Sequence, residues 1–246
     1  DLNTAQNIED LKSDVIVVGA GAVGITLAIV LARKGKNVLL LESGGGQFEQ
    51  KSKDLNLFTL SGRHHVGILE GRARVVGGTT TLWGGQLTSF SEEDFKQRDW
   101  IPGSGWPIDF QDVAPYYEEV AELLGLDSKY SEDKSVWQSL NIDEINLGTT
   151  IKPFLTRWMK ETNIFKIFQN EIEESEKITL VKHAITTGFN CDTTSELINE
   201  VVVNNSSNVQ YKLPAKDVIV SCGTIEASRL MLYAAEEHEH MPWKNN

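Results

Sequence analysis

Apolar residues in this chain fall into short unbroken runs near both ends and are scattered among charges between them. Val15 to Val18 is one such run, followed by Gly19-Ala20-Gly21-Ala22-Val23-Gly24 and then by apolar residues up to Ala32. Arg33-Lys34-Gly35 closes that stretch, and a second run, Val38 to Leu41, ends at Glu42. Short apolar runs bounded by glycine predict buried strands. The longer stretch between them, ending in cations and a glycine, predicts a helix starting near Ala22. Residues 14–42 therefore read as strand, glycine turn, helix, strand. Gly19 makes the tight turn, Gly21 admits a close backbone approach by a phosphate, and Gly24 lets the helix pack near the strand; Ala28 adds a small residue one turn later. Free N–H groups at the helix start favour an anion there. Glu42 ends the second strand where a carboxylate can accept hydrogen bonds from a ribose. A bare G-x-G-x-x-G is weak, but these flanks supply its required context and point to a dinucleotide.

Further along, the pattern predicts less order and then more. Residues 1–13 read as a short polar lead, and Ser43 to Gly46 as a flexible turn. Arg72-Ala73-Arg74-Val75-Val76-Gly77-Gly78-Thr79-Thr80-Thr81-Leu82-Trp83-Gly84-Gly85 holds two Gly-Gly pairs within nine positions, which suits a loop lying close to something flat or charged. A helix starts near Asp112, capped by Asp109 or Asp112. It carries Val113, Tyr116, Tyr117, Val120, Leu123 and Leu124 on a core-facing side and stops at Gly125. Residues 127–150 read as polar loop and 171–177 as a solvated stretch. Ile178 to Thr186, Leu197 to Val203 and Val209 to Leu213 read as a meander, with a turn over Asn204 to Asn208. Asp217 to Gly223 is a buried strand ending in glycine. Thr224 caps the helix after it, Ile225 through Ala235, with Glu226 in the first turn; this strand returns in parallel to the first sheet.

Charge and cysteine count narrow the function classes. With 23 Lys+Arg against 35 Asp+Glu, the net charge is −12, which repels phosphate backbones and excludes nucleic acid as a partner. Cys191 and Cys222 make neither a C-x-x-C nor a disulfide framework, so no metal is expected and a reducing, cytoplasmic setting fits. Val15 to Ala32 is uncharged for eighteen residues, yet its glycines sit where the turn needs them and acids precede it, so neither a membrane span nor a signal sequence is expected. His64, His65, His238 and His240 read as loop histidines. The chain opens with Asp rather than Met, as expected of a processed, trimmed or partial sequence.

With these pieces in order, the chain resembles the glucose–methanol–choline family of FAD-dependent oxidoreductases from Asp14 to Leu232. The matching residues are Val18 to Gly21 through Leu41-Glu42-Ser43-Gly44-Gly45, Val76 to Thr80 with Leu82-Trp83-Gly84-Gly85, Gly105-Trp106-Pro107-Ile108 with Tyr116-Tyr117, and Ser221 to Glu226 with Arg229 to Leu232. The resemblance implies an α/β fold: a Rossmann-like FAD/NAD(P)-binding domain with a mixed sheet and a β-meander, plus part of an inserted substrate-domain segment. The FAD-binding domain spans 12–90 and 176–246, and 91–175 is the insert. Gly19, Gly21, Val23 and Gly24 would hold the FAD pyrophosphate, Glu42 and Ser43 the adenosine ribose, and Gly78 and Thr79 the pyrophosphate side of the flavin. Trp83, Gly84 and Gly85 would reach the isoalloxazine, while Ile185, Cys222 and Gly223 would bracket the adenine.

The reaction implied is hydride transfer from the CH–OH group of a sugar, polyol or other alcohol to flavin N5, with oxygen, a quinone or a carrier protein as acceptor. Pyranose oxidases carry a flavin-linked histidine where Leu82 stands, so FAD is expected to be non-covalent. The family's C-terminal histidine, the expected base, falls beyond this sequence, leaving the catalytic residues unknown. Two other readings stay open at this point: an NAD(P)-dependent dehydrogenase or another flavoprotein with the same opening motif, and a non-catalytic FAD-binding remnant.

Overall fold

The computed structural model describes residues 1–5, 7–63, 66–126, 133–148, 150–151, 153–192 and 197–237. Four of the five histidines (His64, His65, His238 and His240) lie outside them. The chain divides into two compact units, residues 1–83 with 163–246, and residues 84–162.

The first unit opens with β1 (Val15–Val18), α1 (Ala22–Arg33), β2 (Val38–Leu41) and a short α2 (Gln50–Asp54). Gly35, at φ +83°, ends α1 as its sequence predicts. The second unit holds β3 (Gln86–Leu87), α3 (Glu92–Phe95), α4 (Phe110–Leu123), α5 (Asp133–Leu140) and β4 (Arg157–Trp158). The chain then returns to the first unit with α6 (Ile164–Glu174), β5 (Ile178–Val181), β6 (Ile185–Asp192), β7 (Leu197–Asn204), β8 (Gln210–Pro214), β9 (Asp217–Val220) and α7 (Thr224–Glu237).

Four parallel strands form one sheet in the order β5-β2-β1-β9, and β6-β7-β8 form a separate antiparallel meander. Alternation along the strands sorts the sheet's two faces. Ile16, Val18, Leu39, Leu41 and Val181 join Phe189, Val201, Val203, Leu213 and Leu230 in one core beneath the meander and α7. Val17 and Leu40, equally buried, point to the opposite face, where α1 packs on β1, β2 and β5 and against α6. Because β2 and β9 flank β1 on opposite sides, β1 is where the strand order reverses. The crevice beyond its carboxyl end is the place such sheets bind ligands.

Several expectations from the sequence are corrected. The lead at 1–13 is not merely polar: Leu2 and Ile8 are buried in the core, and the Leu2 amide donates to the Lys182 carbonyl at 2.9 Å. Residues 171–174 end α6, where Ile172 is buried in line with Ile164 and Phe168 at helical spacing. Residues 178–186 are not one strand. His183, at φ +57°, turns the chain between β5 in the parallel sheet and β6 in the meander. Residues 133–140 form a helix, α5, inside the stretch read as loop.

In the second unit, α4 starts at Phe110 with Asp109, rather than Asp112, as its cap; the two form a capping box, and the helix stops before Gly125 at φ +73°. Its predicted apolar face, however, contains no buried residue, and Tyr116 is 59 % exposed. Phe90, Phe95, Trp106, Phe110 and Tyr117 instead form a chain of ring contacts at 5.9 to 6.2 Å.

Candidate functional site

A cleft of about 370 Å³ opens at the carboxyl ends of β1, β2 and β9, and all of its lining residues belong to the first unit. One wall is backbone. Gly19, at φ +102°, has no room for a side chain: a Cβ there would sit 2.7 Å from the Cys222 Cα. Gly24 is equally constrained, since a Cβ would run into the Gly19 carbonyl. Ser221 braces the same turn, its hydroxyl donating to the carbonyls of Val18 at 3.0 Å and Gly19 at 3.1 Å. Gly21 differs. Its φ of −89° and ψ of −165° suit any residue, and a Cβ would meet no protein atom within 4 Å. The fold does not need glycine there; the space in front of it does.

The start of α1 faces the same cleft through Gly21, Ala22 and Val23. The Ile25 amide is the first to find an intrahelical acceptor, the Gly21 carbonyl, and no side chain among the described residues caps this end. Amides preceding Ile25 are thus available to an anion, reinforced by the helix dipole. The second glycine loop is pinned beside the first. The Gly77 amide donates to the Ala20 carbonyl at 2.8 Å, the Val76 amide to the Gly45 carbonyl at 3.0 Å, and Gly78 stands against Gly21. Thr79 then lines the cleft, while Thr80 turns inward and accepts from the first amide of α6, Ile164, at 3.1 Å.

The other wall is made of side chains. Glu42 is buried and accepts from the Ala20 amide at 3.0 Å, the Gly44 amide at 2.8 Å and the Ser43 hydroxyl at 3.2 Å. Burial pushes its carboxyl above the ordinary value, against these hydrogen bonds and Arg74, which pull it down. Arg74 reaches Asn56 Oδ1 at 2.7 Å, Ser43 Oγ at 3.2 Å and Glu226 Oε2 at 3.0 Å. Arg72 takes Glu226 Oε1 at 2.9 Å, and Arg229 joins from the next turn of α7 at 3.0 Å. Burial works to raise the Glu226 carboxyl, but Arg74 and Arg229 outweigh it and hold the group below its ordinary range. Cys222, at the junction of the two walls, is pushed up by burial and by Glu226, so it stays a thiol at neutral pH.

Of the residues singled out in the sequence, Gly19, Gly21, Val23, Glu42, Ser43, Gly78, Thr79, Cys222 and Gly223 share this cleft, and Gly24 supports it from behind. Ile185 opens β6, half-buried, and is not among the lining residues; Trp83 closes the first segment of the unit and is not among them either. Gly84 and Gly85 begin the second unit, where Gly84 faces the Trp158 ring and the Gly85 carbonyl accepts from the Met159 amide at 2.9 Å. Sequence reasoning missed Asn56, Arg72, Arg74 and Glu226 as site residues. A signal existed for the arginines, which stand in the glycine-rich loop just before Gly77-Gly78. Asn56 gave none.

Residues 12–85 match the FAD binding domain family. The chain is also 25% identical to the fructose dehydrogenase large subunit of Gluconobacter japonicus, over 48% of this chain and 28% of that protein. It is 28% identical to paromamine 6'-oxidase of Streptomyces fradiae, over 48% of this chain and 24% of that protein. These matches agree with the resemblance to the glucose–methanol–choline family of FAD-dependent oxidoreductases. The dinucleotide of this chain is FAD. A fungal aryl-alcohol oxidase shares this fold, with a TM-score of 0.61 at 15% identity over 92% of this chain and 48% of that one. The chain thus spans about a quarter of the length of these curated relatives and about half of the solved chain. No helix among the described residues is long and apolar enough to cross a membrane.

Proposed function

We propose that this chain forms the FAD-binding part of an oxidoreductase that oxidises the CH–OH group of a sugar, polyol or other alcohol. The observation that carries the reading is Gly21, a glycine the fold does not require, facing a cleft beside an uncapped helix start. That arrangement fits a pyrophosphate: backbone donors converge on it and no side chain fills its place. In this reading Gly19, Gly21, Val23, Gly24, Gly78 and Thr79 hold the pyrophosphate, Glu42 and Ser43 orient the adenosine ribose, and Cys222, Gly223 and Ile185 surround the adenine. Trp83, Gly84 and Gly85 serve the isoalloxazine. Residues 12–90 and 176–246 make the FAD-binding domain, and 91–175 belong to an inserted substrate segment. When bound, FAD would accept the carbinol hydride at N5 and pass its electrons to oxygen, a quinone or a carrier protein. The relatives named as a fructose dehydrogenase and an aryl-alcohol oxidase support a donor of this class.

Leu82 follows the turn Gly78–Thr81 and offers no nucleophile for a covalent link, so the flavin is held non-covalently. The test is the visible spectrum of the purified protein after incubation with FAD, followed by acid precipitation. A flavin spectrum whose colour stays in the supernatant is expected. A colourless protein would overturn the cofactor site, and colour in the pellet would overturn non-covalent binding.

A further inference from the structure

Five buried side-chain polar atoms lack a hydrogen-bond partner among the described residues: Ser13 Oγ, Asn56 Nδ2, Arg98 Nε, Thr186 Oγ1 and Asn204 Oδ1. Of these residues only Asn56 lines the cleft. It follows the end of α2, is 2 % exposed, and its backbone is tied down by an amide bond to the Lys53 carbonyl at 2.9 Å. The orientation of its amide is set by chemistry. Arg74 Nε can only donate, and it lies 2.7 Å from Asn56, so the oxygen faces Arg74 and the nitrogen faces elsewhere. Arg74 is held in place by Ser43, Glu226 and the Leu55 carbonyl, which take three of its four other N–H donors. An amide N–H₂ is therefore held, desolvated, at a cleft wall without an acceptor. Native interiors seldom leave a donor in that state without water, an ion or a ligand to complete it, and this one belongs to a residue that lines the cleft.

The same network says which end of a ligand it meets. Asn56 is joined through Arg74 to Ser43, whose hydroxyl donates to Glu42 at 3.2 Å. This is the β2 side of the cleft, where Glu42 and Ser43 are read as the ribose site, whereas the pyrophosphate turn follows β1. We propose that Asn56 donates a hydrogen bond from Nδ2 to an acceptor atom of the adenosine half of the bound dinucleotide, in an orientation enforced by Arg74. The inference rests on the reading of the cleft as the FAD site. Arg74 and Glu226 then act as positioning residues, and Asn56 touches the cofactor.

Asn56→Asp tests it, because the variant keeps an oxygen toward Arg74 and puts an acceptor, with a negative charge, where the donor was. FAD and ADP affinities of the apo-protein are measured by calorimetry, alongside its thermal melt. Both affinities should fall about tenfold or more while the apo melting temperature stays unchanged. Equal affinities in wild type and variant would overturn the proposal and leave the FAD site standing. Weakened FAD binding with unchanged ADP binding would overturn the adenosine assignment. Failure of wild type to bind FAD would remove the site itself, and this proposal with it. Should the variant not fold, the side-chain amide resonance of Asn56 in the wild-type protein must shift on adding ADP; an unmoved resonance overturns the proposal.

Discussion

Glycine backbone makes one wall of the cleft, and a buried ionic cluster makes the other; the two withstand change very differently. On the backbone wall the position of an atom is decided by what cannot be there, a Cβ at Gly19, Gly24 or Gly78. On the side-chain wall it is decided by a circuit of charge, with three arginines around Glu226 and one of them extended to Asn56 and Ser43. Steric walls fail all at once. Charged walls weaken with the protonation of one member. The two glycines Gly21 and Gly24 divide the backbone wall further, into a residue kept for the ligand and a residue kept for the fold.

The sharpest way to break that distinction is to put the same side chain at both. Gly24→Val forces atoms into the Gly19 carbonyl and toward Ser221 Oγ, where a Cβ already sits at 2.7 Å. Neither neighbour can retreat, since Gly19 is pinned to the Leu41 carbonyl and Ser221 to β1. The expected cost is about 3 kcal/mol or more, a melting temperature lower by roughly 10 °C. Gly21→Val should leave the fold intact or slightly stabilise it, because its dihedrals suit valine and the unfolded chain loses freedom. FAD affinity should nevertheless fall by about a hundredfold, equivalent to about 2.8 kcal/mol. A Gly21→Val protein that melts normally and binds FAD as wild type does would show that the space before Gly21 is not a phosphate site.

How much of this was legible in the sequence follows the same division. The backbone wall was readable because its determinants are local: strand, glycines, helix and second strand lie within residues 14–42, and each glycine's role follows from spacing. The return of β9 to the first sheet was readable too, as a second strand–glycine–helix unit, though not its place beside β1. The side-chain wall was not, since Asn56, Arg72, Arg74 and Glu226 come from three distant segments that only the sheet order brings together. Elsewhere the misreadings came from surfaces with two partners. Residues 178–186 look like one apolar strand because β5 and β6 both bury residues, and only the left-handed His183 separates them. The α6 helix was hidden by its acids, although Ile164, Phe168 and Ile172 repeat at a spacing of four. Glu171 in that acidic stretch meets Arg33 at the end of α1 at 2.7 Å, a pairing no local pattern announces.

The smallest expected effect sharpens the charged wall. Glu226 has a folded-state pKa below its ordinary 4.5, so its contribution to stability is fully present above that value and is lost as pH falls through the lowered one. Glu42 runs the other way. Its folded-state pKa lies above 4.5, so its contribution is fully present below 4.5 and is lost as pH rises through the raised value. Acidification should therefore relieve Glu42 before it dismantles the arginine cluster. Glu226→Gln keeps the shape but removes the charge that Arg72 and Arg74 share, and should cost about 2 kcal/mol at pH 7. It should also flatten the acid limb of the melting curve below pH 4.5 and leave the Glu42 limb above it. Melts of wild type and variant at half-unit pH steps would read this directly. Parallel curves at every pH would mean that the arginines hold their places without Glu226, and that the charged wall is built as rigidly as the glycine one.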